Sequence, residues 1–308
     1  KPINGSEKSK EFAILFGNGL SKEFFKHHGN KNAYNPDVNF VNEVLKKFKR
    51  KIIDYIKDQK DFLHSPGHLF ERFDLRMYQF IIDLYIKSIE KQHYNDQDLI
   101  RFIKLFKSVF TTNMDVVLYH NIFEDKMTDF VDGFCNLEKD KFKSLEEISK
   151  CFAIHADRIS LFYLHGAFHI LKNIYKMSYT KISSDKFPQP APLYVNIKNE
   201  YEVEKRFEKA SIISSVLIQC NWIKKLNAVN SDKYMSLAFD NLKSLRNIFI
   251  FGCSFKNDHH ILLKLAESDN LDRVYIGINA EDKNDTNLST KTNIEKAFRD
   301  LLDIDSSL

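Results

Sequence analysis

Phe12-Ala13-Ile14-Leu15-Phe16-Gly17-Asn18-Gly19-Leu20-Ser21 is the stretch that decides the fold. Five apolar residues without polar alternation read as a strand buried on both faces, the mark of a parallel sheet. The glycines after it permit a tight turn and a close approach of backbone to a ligand. Glycine is scarce here, 9 among 308 residues, under half the usual share of about 7%, so its placement is informative. The same arrangement recurs downstream. Leu161-Phe162-Tyr163-Leu164 leads into His165-Gly166, Asn247-Ile248-Phe249-Ile250-Phe251 into Gly252-Cys253-Ser254, and Val274-Tyr275-Ile276 into Gly277-Ile278-Asn279. A fifth run, Ser108-Val109-Phe110, ends in Thr111-Thr112-Asn113-Met114-Asp115 without glycine. In open α/β sheets ligands bind outside the carboxyl ends of the strands. Five polar turns at five such ends predict one shared crevice.

Between the strands the apolar period lengthens to three and four residues. Val41, Val44, Leu45, Phe48, Ile52, Ile53 and Ile56 predict a helix over Asp37–Gln59 behind Pro36, and Phe70, Phe73, Met77, Phe80, Ile81 and Leu84 a second over His68–Lys91. Further helices are predicted over Lys233–Leu245, Asp258–Glu267 and Thr290–Leu302. The fold class is α/β: a Rossmann-like, mostly parallel sheet flanked by helices. Residues 1–308 read as one domain, with a helical insertion over residues 36–106 and a second insertion over residues 123–160, where no clear strand is seen.

Composition narrows the function. Lys and Arg number 46 against 42 Asp and Glu, a net charge of +4, too dilute for nucleic acid to be the direct partner. No run approaches the roughly 18 apolar residues of a membrane span, and KPINGSEKSK lacks a signal-peptide core. The expected location is cytoplasmic. Cys135, Cys151, Cys220 and Cys253 never fall as C-x-x-C, so a zinc ribbon is excluded and each is read as a small buried hydrophobe.

In order and strand-end placement, Gly17-Asn18-Gly19-Leu20-Ser21, Thr111-Thr112-Asn113-Met114-Asp115, His165-Gly166, Gly252-Cys253-Ser254 and Ile278-Asn279 resemble the motifs of sirtuins. The nearer resemblance is to the sirtuin-like, NAD-hydrolysing domains of bacterial anti-phage defence proteins, where Thr-Thr-Asn-Tyr-Asp is usual. It spans about Ile14 to Asn279. Two departures stand out. The four-cysteine zinc module of the protein-deacylating sirtuins is missing, and Lys22–Asn35 does not match their Gly-Ile-Pro-Asp-Phe-Arg segment. The resemblance therefore implies NAD chemistry without deacylation.

What it implies residue by residue is as follows. Gly17, Asn18 and Gly19 would bring backbone N–H groups to the pyrophosphate, with Ser21 adding a hydroxyl and Thr112 lining the cofactor site. Gly252 and Ser254 would meet phosphate or the adenine-side ribose, and Asn279 the hydroxyls of that ribose. Asp115 would hold the nicotinamide carboxamide, Asn113 the nicotinamide ribose and attacking water, and His165 would be the general base. The implied activity is hydrolysis of NAD+ to nicotinamide and ADP-ribose, as a defence effector held in check by a sensor or activator subunit or by oligomer assembly. The alternatives are a catalytically silent NAD- or ADP-ribose-binding regulatory subunit, and ADP-ribosyl transfer or deacylation.

Each residue also has a plainer reading. Alone, Asn113 and Asp115 would be helix caps, and His165 a core histidine. His64 with His68, His165 with His169, and Asp258-His259-His260 invite a metal reading, but none carries the H-E-x-x-H arrangement. No metal is expected, and Asp258 is read as serving the nucleotide site or capping its helix, with the cap preferred.

Overall fold

The computed structural model describes residues 12–17, 20, 96–114, 117–123, 129–134, 143–173, 178–181, 212–216, 222–253, 255, 258–277 and 292. The strands are β1 (Phe12–Phe16), β2 (Ser108–Thr111), β3 (Phe130–Val131), β4 (Ile159–Tyr163), β5 (Gly166–Asn173), β6 (Ser178–Lys181), β7 (Ile212–Val216), β8 (Asn247–Phe251) and β9 (Arg273–Ile276). The helices are α1 (Gln97–Ile103), α2 (Val117–Phe123), α3 (Leu145–Ile154), α4 (Trp222–Ser231), α5 (Lys233–Lys243) and α6 (His259–Ala266). The helices predicted over 37–59, 68–91 and 290–302 lie outside the described residues but for residue 292, as does most of the first insertion.

All five predicted strands enter one sheet of six, ordered β3-β4-β2-β1-β8-β9, and every pairing in it is parallel. The Rossmann-like α/β architecture is therefore observed. Ala13, Ile14, Leu15, Val109, Phe110, Leu161, Phe162, Ile248 and Ile250 are buried, as expected of strands covered on both faces. Phe110 and Phe152 both stack on Phe162 and carry the core out to α3. The sixth strand was not anticipated. Phe130–Val131 pairs with Ile159–Ser160 at the sheet edge, inside the stretch read as an insertion. Two residues are too short a run to stand out by periodicity.

Helices α5 and α6 coincide with predicted segments. Helix α5 buries Tyr234, Met235, Ala238, Phe239 and Leu242 along one stripe, packs on β4, and joins α4 and α6 in one cluster. Asp232 caps it by accepting from the backbone N–H groups of Tyr234 and Met235.

A second sheet, antiparallel and ordered β6-β5-β7, begins one residue after His165. Largely buried ion pairs fasten it to the parallel sheet and to α5. Lys181 of β6 meets Asp132, just beyond β3, at 2.6 Å, and Lys172 of β5 meets the capping Asp232 at 2.9 Å. Burial alone would lower the Lys181 pKa, but the Asp132 carboxylate outweighs it and keeps the ammonium charged. Among the cysteines, Cys253 is a buried free thiol, whereas Cys151 is disulfide-bonded rather than a simple buried hydrophobe.

The sheet order places a topological switch point at β1. From β1 the chain adds β2, then β3 at the edge and β4 between them, and later returns to β1's other side with β8 and β9. At that point β1 and β8 end side by side. Gly17 donates its N–H to the Phe251 carbonyl at 2.7 Å, and a Cβ on Gly17 would lie 2.4 Å from the Gly252 carbonyl oxygen and 2.5 Å from Cys253 Sγ. Gly17→Ala is therefore expected to destabilise the chain by about 1–3 kcal/mol, the cost of overpacking against rigid backbone. Urea unfolding checks this; an unchanged midpoint would show that the β8 turn can yield.

Candidate functional site

The carboxyl ends of β4, β2, β1 and β8 form a continuous row, because each strand is hydrogen-bonded to the next. Beyond the named strands the pairing continues: Leu164 N–H donates to the Thr111 carbonyl at 2.8 Å and Thr112 N–H to the Phe16 carbonyl at 2.9 Å. Thr112 and Asn113 leave β2 beside His165, which leaves β4, and all three are buried. The Asn113 N–H is held by the Thr111 hydroxyl at 3.0 Å. Gly252 follows β8 with φ +67°, a left-handed backbone that favours glycine.

The loop after Gly252 shapes the site. It passes over the end of β1, where Gly17 leaves room, and delivers the start of α6 to the end of β4. Four adjacent strand ends span three inter-strand spacings, about 14 Å. Phe255, buried within this loop, adopts φ 57°, a left-handed conformation that a bulky side chain rarely takes. Three residues later Asp258 stands at the N-cap of α6 but makes no capping hydrogen bond. The expectation that it serves as a cap is corrected. Its carboxylate turns to Lys225 of α4, Nζ to Oδ1 at 2.5 Å, and the same oxygen lies 3.8 Å from His165 Nε2. His260, the second residue of α6, brings its Nε2 to 3.0 Å from His165 Nε2.

Burial chiefly, then the Lys225 charge, pushes the His165 pKa down to about 3, against opposing help from Asp258 and a backbone hydrogen bond to Thr112. His260 is likewise held well below its usual range, by burial and then by His165. Burial would raise Asp258, but Lys225 and the two imidazoles bring it down to about 2. The cluster is thus an ionised Lys–Asp pair beside two neutral imidazoles. Cys253, also buried there, is pushed up by burial and by Asp258.

His165, Asp258 and His260 offer three donor atoms within 4.8 Å of one another, a set that by type suits a transition metal. The Lys225 ammonium already pairs with the Asp258 carboxylate, through Oδ1, and would compete with a metal for it. A divalent ion would add charge to a buried cluster whose charges are already balanced, so the donor set does not fit a metal well. His169, paired with His165 in the sequence, stands apart in β5, stacked on Tyr119 with ring centroids 4.1 Å apart.

The residues predicted from sequence thus fall into two groups. Gly17, Thr112, Asn113, His165 and Gly252 gather along the four strand ends; Asn18, Gly19, Ser21, Asp115, Ser254 and Asn279 lie outside the described residues. The Gly17 N–H, assigned to a pyrophosphate, is instead spent on the Phe251 carbonyl, so this residue shapes the turn rather than donating there. Lys225 was missed, since a single lysine on a helical segment carries no signal. His260 was weighed only as a metal ligand.

Fold and site define a Rossmann-like α/β protein with a crevice at a topological switch point and a buried imidazole pair beside it. The family follows from the sequence match: residues 35–305 fit the model of a domain of unknown function, DUF4917, and the chain belongs to that family. No curated protein matches it in sequence. Among solved structures it is similar to one concerning the mechanism and regulation of Sir2 enzymes, with TM-score 0.34 and 10% identity over 94% of this chain and 93% of that one. It is also similar to a structure of Sir2 with a p53 peptide and NAD+, with TM-score 0.35 and 10% identity over 92% of each chain.

Three buried histidines, His165, His169 and His260, are held neutral in the folded chain. Unfolding returns each to an ordinary value near 6.5, so below that pH the unfolded state binds more protons and stability falls. For His165 the loss runs from about 6.5 down to about 3. Each histidine adds a slope of at most about 1.4 kcal/mol per pH unit. His169 is the clean probe, because neither ring nitrogen has a hydrogen-bond partner among the described residues. His169→Phe should keep or raise stability at neutral pH and flatten the decline in urea midpoint between about pH 7 and about pH 5. An unaltered slope would remove His169 from the account.

Proposed function

We propose that the chain binds NAD+ along the β4-β2-β1-β8 crevice and hydrolyses its nicotinamide–ribose bond, giving nicotinamide and ADP-ribose. The observation that carries this reading is the row itself. Glycine turns meet at the switch point, where phosphates bind in open α/β sheets, and a buried Asn113 and His165 stand further along the same edge. An extended dinucleotide lies across such a row with its pyrophosphate at one end and its scissile bond at the other.

The chemistry asks little acid help. The pyridinium departs as neutral nicotinamide, so the site needs to orient the sugar, stabilise an oxocarbenium-like transition state and activate water. His165, neutral across the physiological range, takes the proton from water. Asn113 orients that water and the nicotinamide ribose, and Asp115 holds the carboxamide. Thr112 lines the pocket. Asn18, Gly19, Ser21, Gly252 and Ser254 contact phosphates or the adenosine ribose, and Asn279 that ribose. We read the enzyme as a cytoplasmic effector of bacterial defence, controlled by a sensor subunit or by assembly.

Nicotinamide release from NAD+ by the purified chain tests this, read with etheno-NAD fluorescence beside calorimetric binding. Asn113→Ala and His165→Ala should each lower release by about 100-fold or more while binding persists. Binding without release, in the wild type and with any cell extract added, would mean a silent NAD- or ADP-ribose-binding subunit. NAD+ consumption that requires a protein acceptor would mean ADP-ribosyl transfer or deacylation. Neither binding nor release would overturn the nucleotide-site reading.

A further inference from the structure

The two closest ring nitrogens of the site face each other. His165 and His260 come from β4's end and from α6, their rings lie within 22° of parallel, and their Nε2 atoms are 3.0 Å apart. At that separation one nitrogen must carry a proton and the other a lone pair, since two lone pairs or two N–H groups would repel. The charged groups facing the pair are Asp258, 3.8 Å from His165 Nε2, and Lys225, which holds Asp258 from α4. The Thr112 backbone also bonds His165, and Cys253 and His259 border the cluster.

We propose that His165 and His260 accept a proton as one unit, with His260 the positioning residue for His165 and Asp258 the counter-charge of the protonated pair. This rests on the hydrolysis proposed above. In the resting site His165 donates its ring proton from Nε2 to His260 Nε2 and His260 carries its own on Nδ1, which leaves the His165 Nδ1 lone pair free. Water gives up a third proton to that Nδ1, whose protonated form the Thr112 backbone stabilises; the water oxygen keeps the electron pair and forms the new bond to the ribose carbon as the carbon–nitrogen bond breaks toward nicotinamide. The pair then holds three ring protons and one positive charge, spread over two rings and facing the Asp258 carboxylate. A lone buried imidazolium would have no such relief. Lys225 keeps Asp258 ionised and in place until that charge arrives.

The test pairs kinetics with histidine NMR on the whole chain. His260→Gln retains a hydrogen-bonding side chain but cannot share charge, so kcat for nicotinamide release should fall about 100-fold with little change in KM. In the wild type the two rings should titrate as a coupled pair with a shared downfield proton resonance, lost in His260→Gln. Asp258→Asn provides a second variant: removing the counter-charge should move the acid limb of the rate profile to lower pH. Lys225→Met should move it to higher pH, because the opposing charge is gone. Wild-type kcat and profile in His260→Gln would overturn the proposal, as would His165 resonances indifferent to loss of His260. Stoichiometric Co2+ binding that perturbs both rings would also overturn it, by assigning the lone pairs to a metal. A wild type that releases no nicotinamide would defeat the hydrolysis, while the NMR arm would still decide whether the pair exists.

Discussion

The crossing of the β8 turn over the end of β1 is the constraint on which the site depends. It requires that Gly17 have no side chain, since the Gly252 carbonyl and the Cys253 thiol occupy the place of its Cβ. It also requires the left-handed backbone of Gly252 and Phe255. Soon after β8 ends at Phe251 the chain reaches Asp258 and His260, which stand against His165 at the end of β4. Parallel pairing fixes the strand ends in a row; this crossing sets Asp258, Lys225 and His260 beside the His165 end of it.

His165 is held on its other side by β5. The small antiparallel sheet starts where His165 ends, so any tilt of that sheet would move the imidazole. Lys181 to Asp132 and Lys172 to Asp232 hold it, reinforced by Tyr179, which donates to Asp232 at 3.2 Å and accepts from the Tyr234 N–H at 3.0 Å. Buried ion pairs contribute little net stability once desolvation is counted, but removing one partner is costly. Their effect here is to fix a geometry: Asp232 both caps α5, which packs on β4 and α6, and holds Lys172 of the antiparallel sheet.

Much of this was legible in the sequence, and the reason is physical. A strand buried on both faces must be apolar throughout, and a turn at its end that admits a neighbouring backbone must be glycine or short and polar. Phe12–Gly17, Leu161–Gly166 and Asn247–Gly252 announce themselves on those grounds alone. The parallel sheet followed, and with it the position of His165 at the end of β4. What was hidden depends on partners distant in the chain. Phe130–Val131 is a strand only because β4 offers it an edge. Asp258 looks like a helix cap because it sits at one; that it turns toward Lys225 is set by α4, which sequence spacing does not bring near. His260 sits one residue from His259 with nothing local to tell them apart. The β5-β6-β7 sheet carries no clean alternation, since its inner positions include Lys181 and His169, whose burial rests on Asp132 and Tyr119.

Charge balance links these parts to the chemistry. At neutral pH the cluster around His165 holds one ammonium, one carboxylate and two uncharged imidazoles, all screened from water. Such a site resists protonation when empty, which is why His165 sits so far below its ordinary range. On the reading proposed above, the substrate changes that balance. The pyrophosphate would bring negative charge to the ends of β1 and β8, while the pyridinium charge beside His165 disappears as nicotinamide departs; both changes favour proton uptake as the bond breaks rather than before it. The depressed pKa of His165 keeps the base neutral until that step.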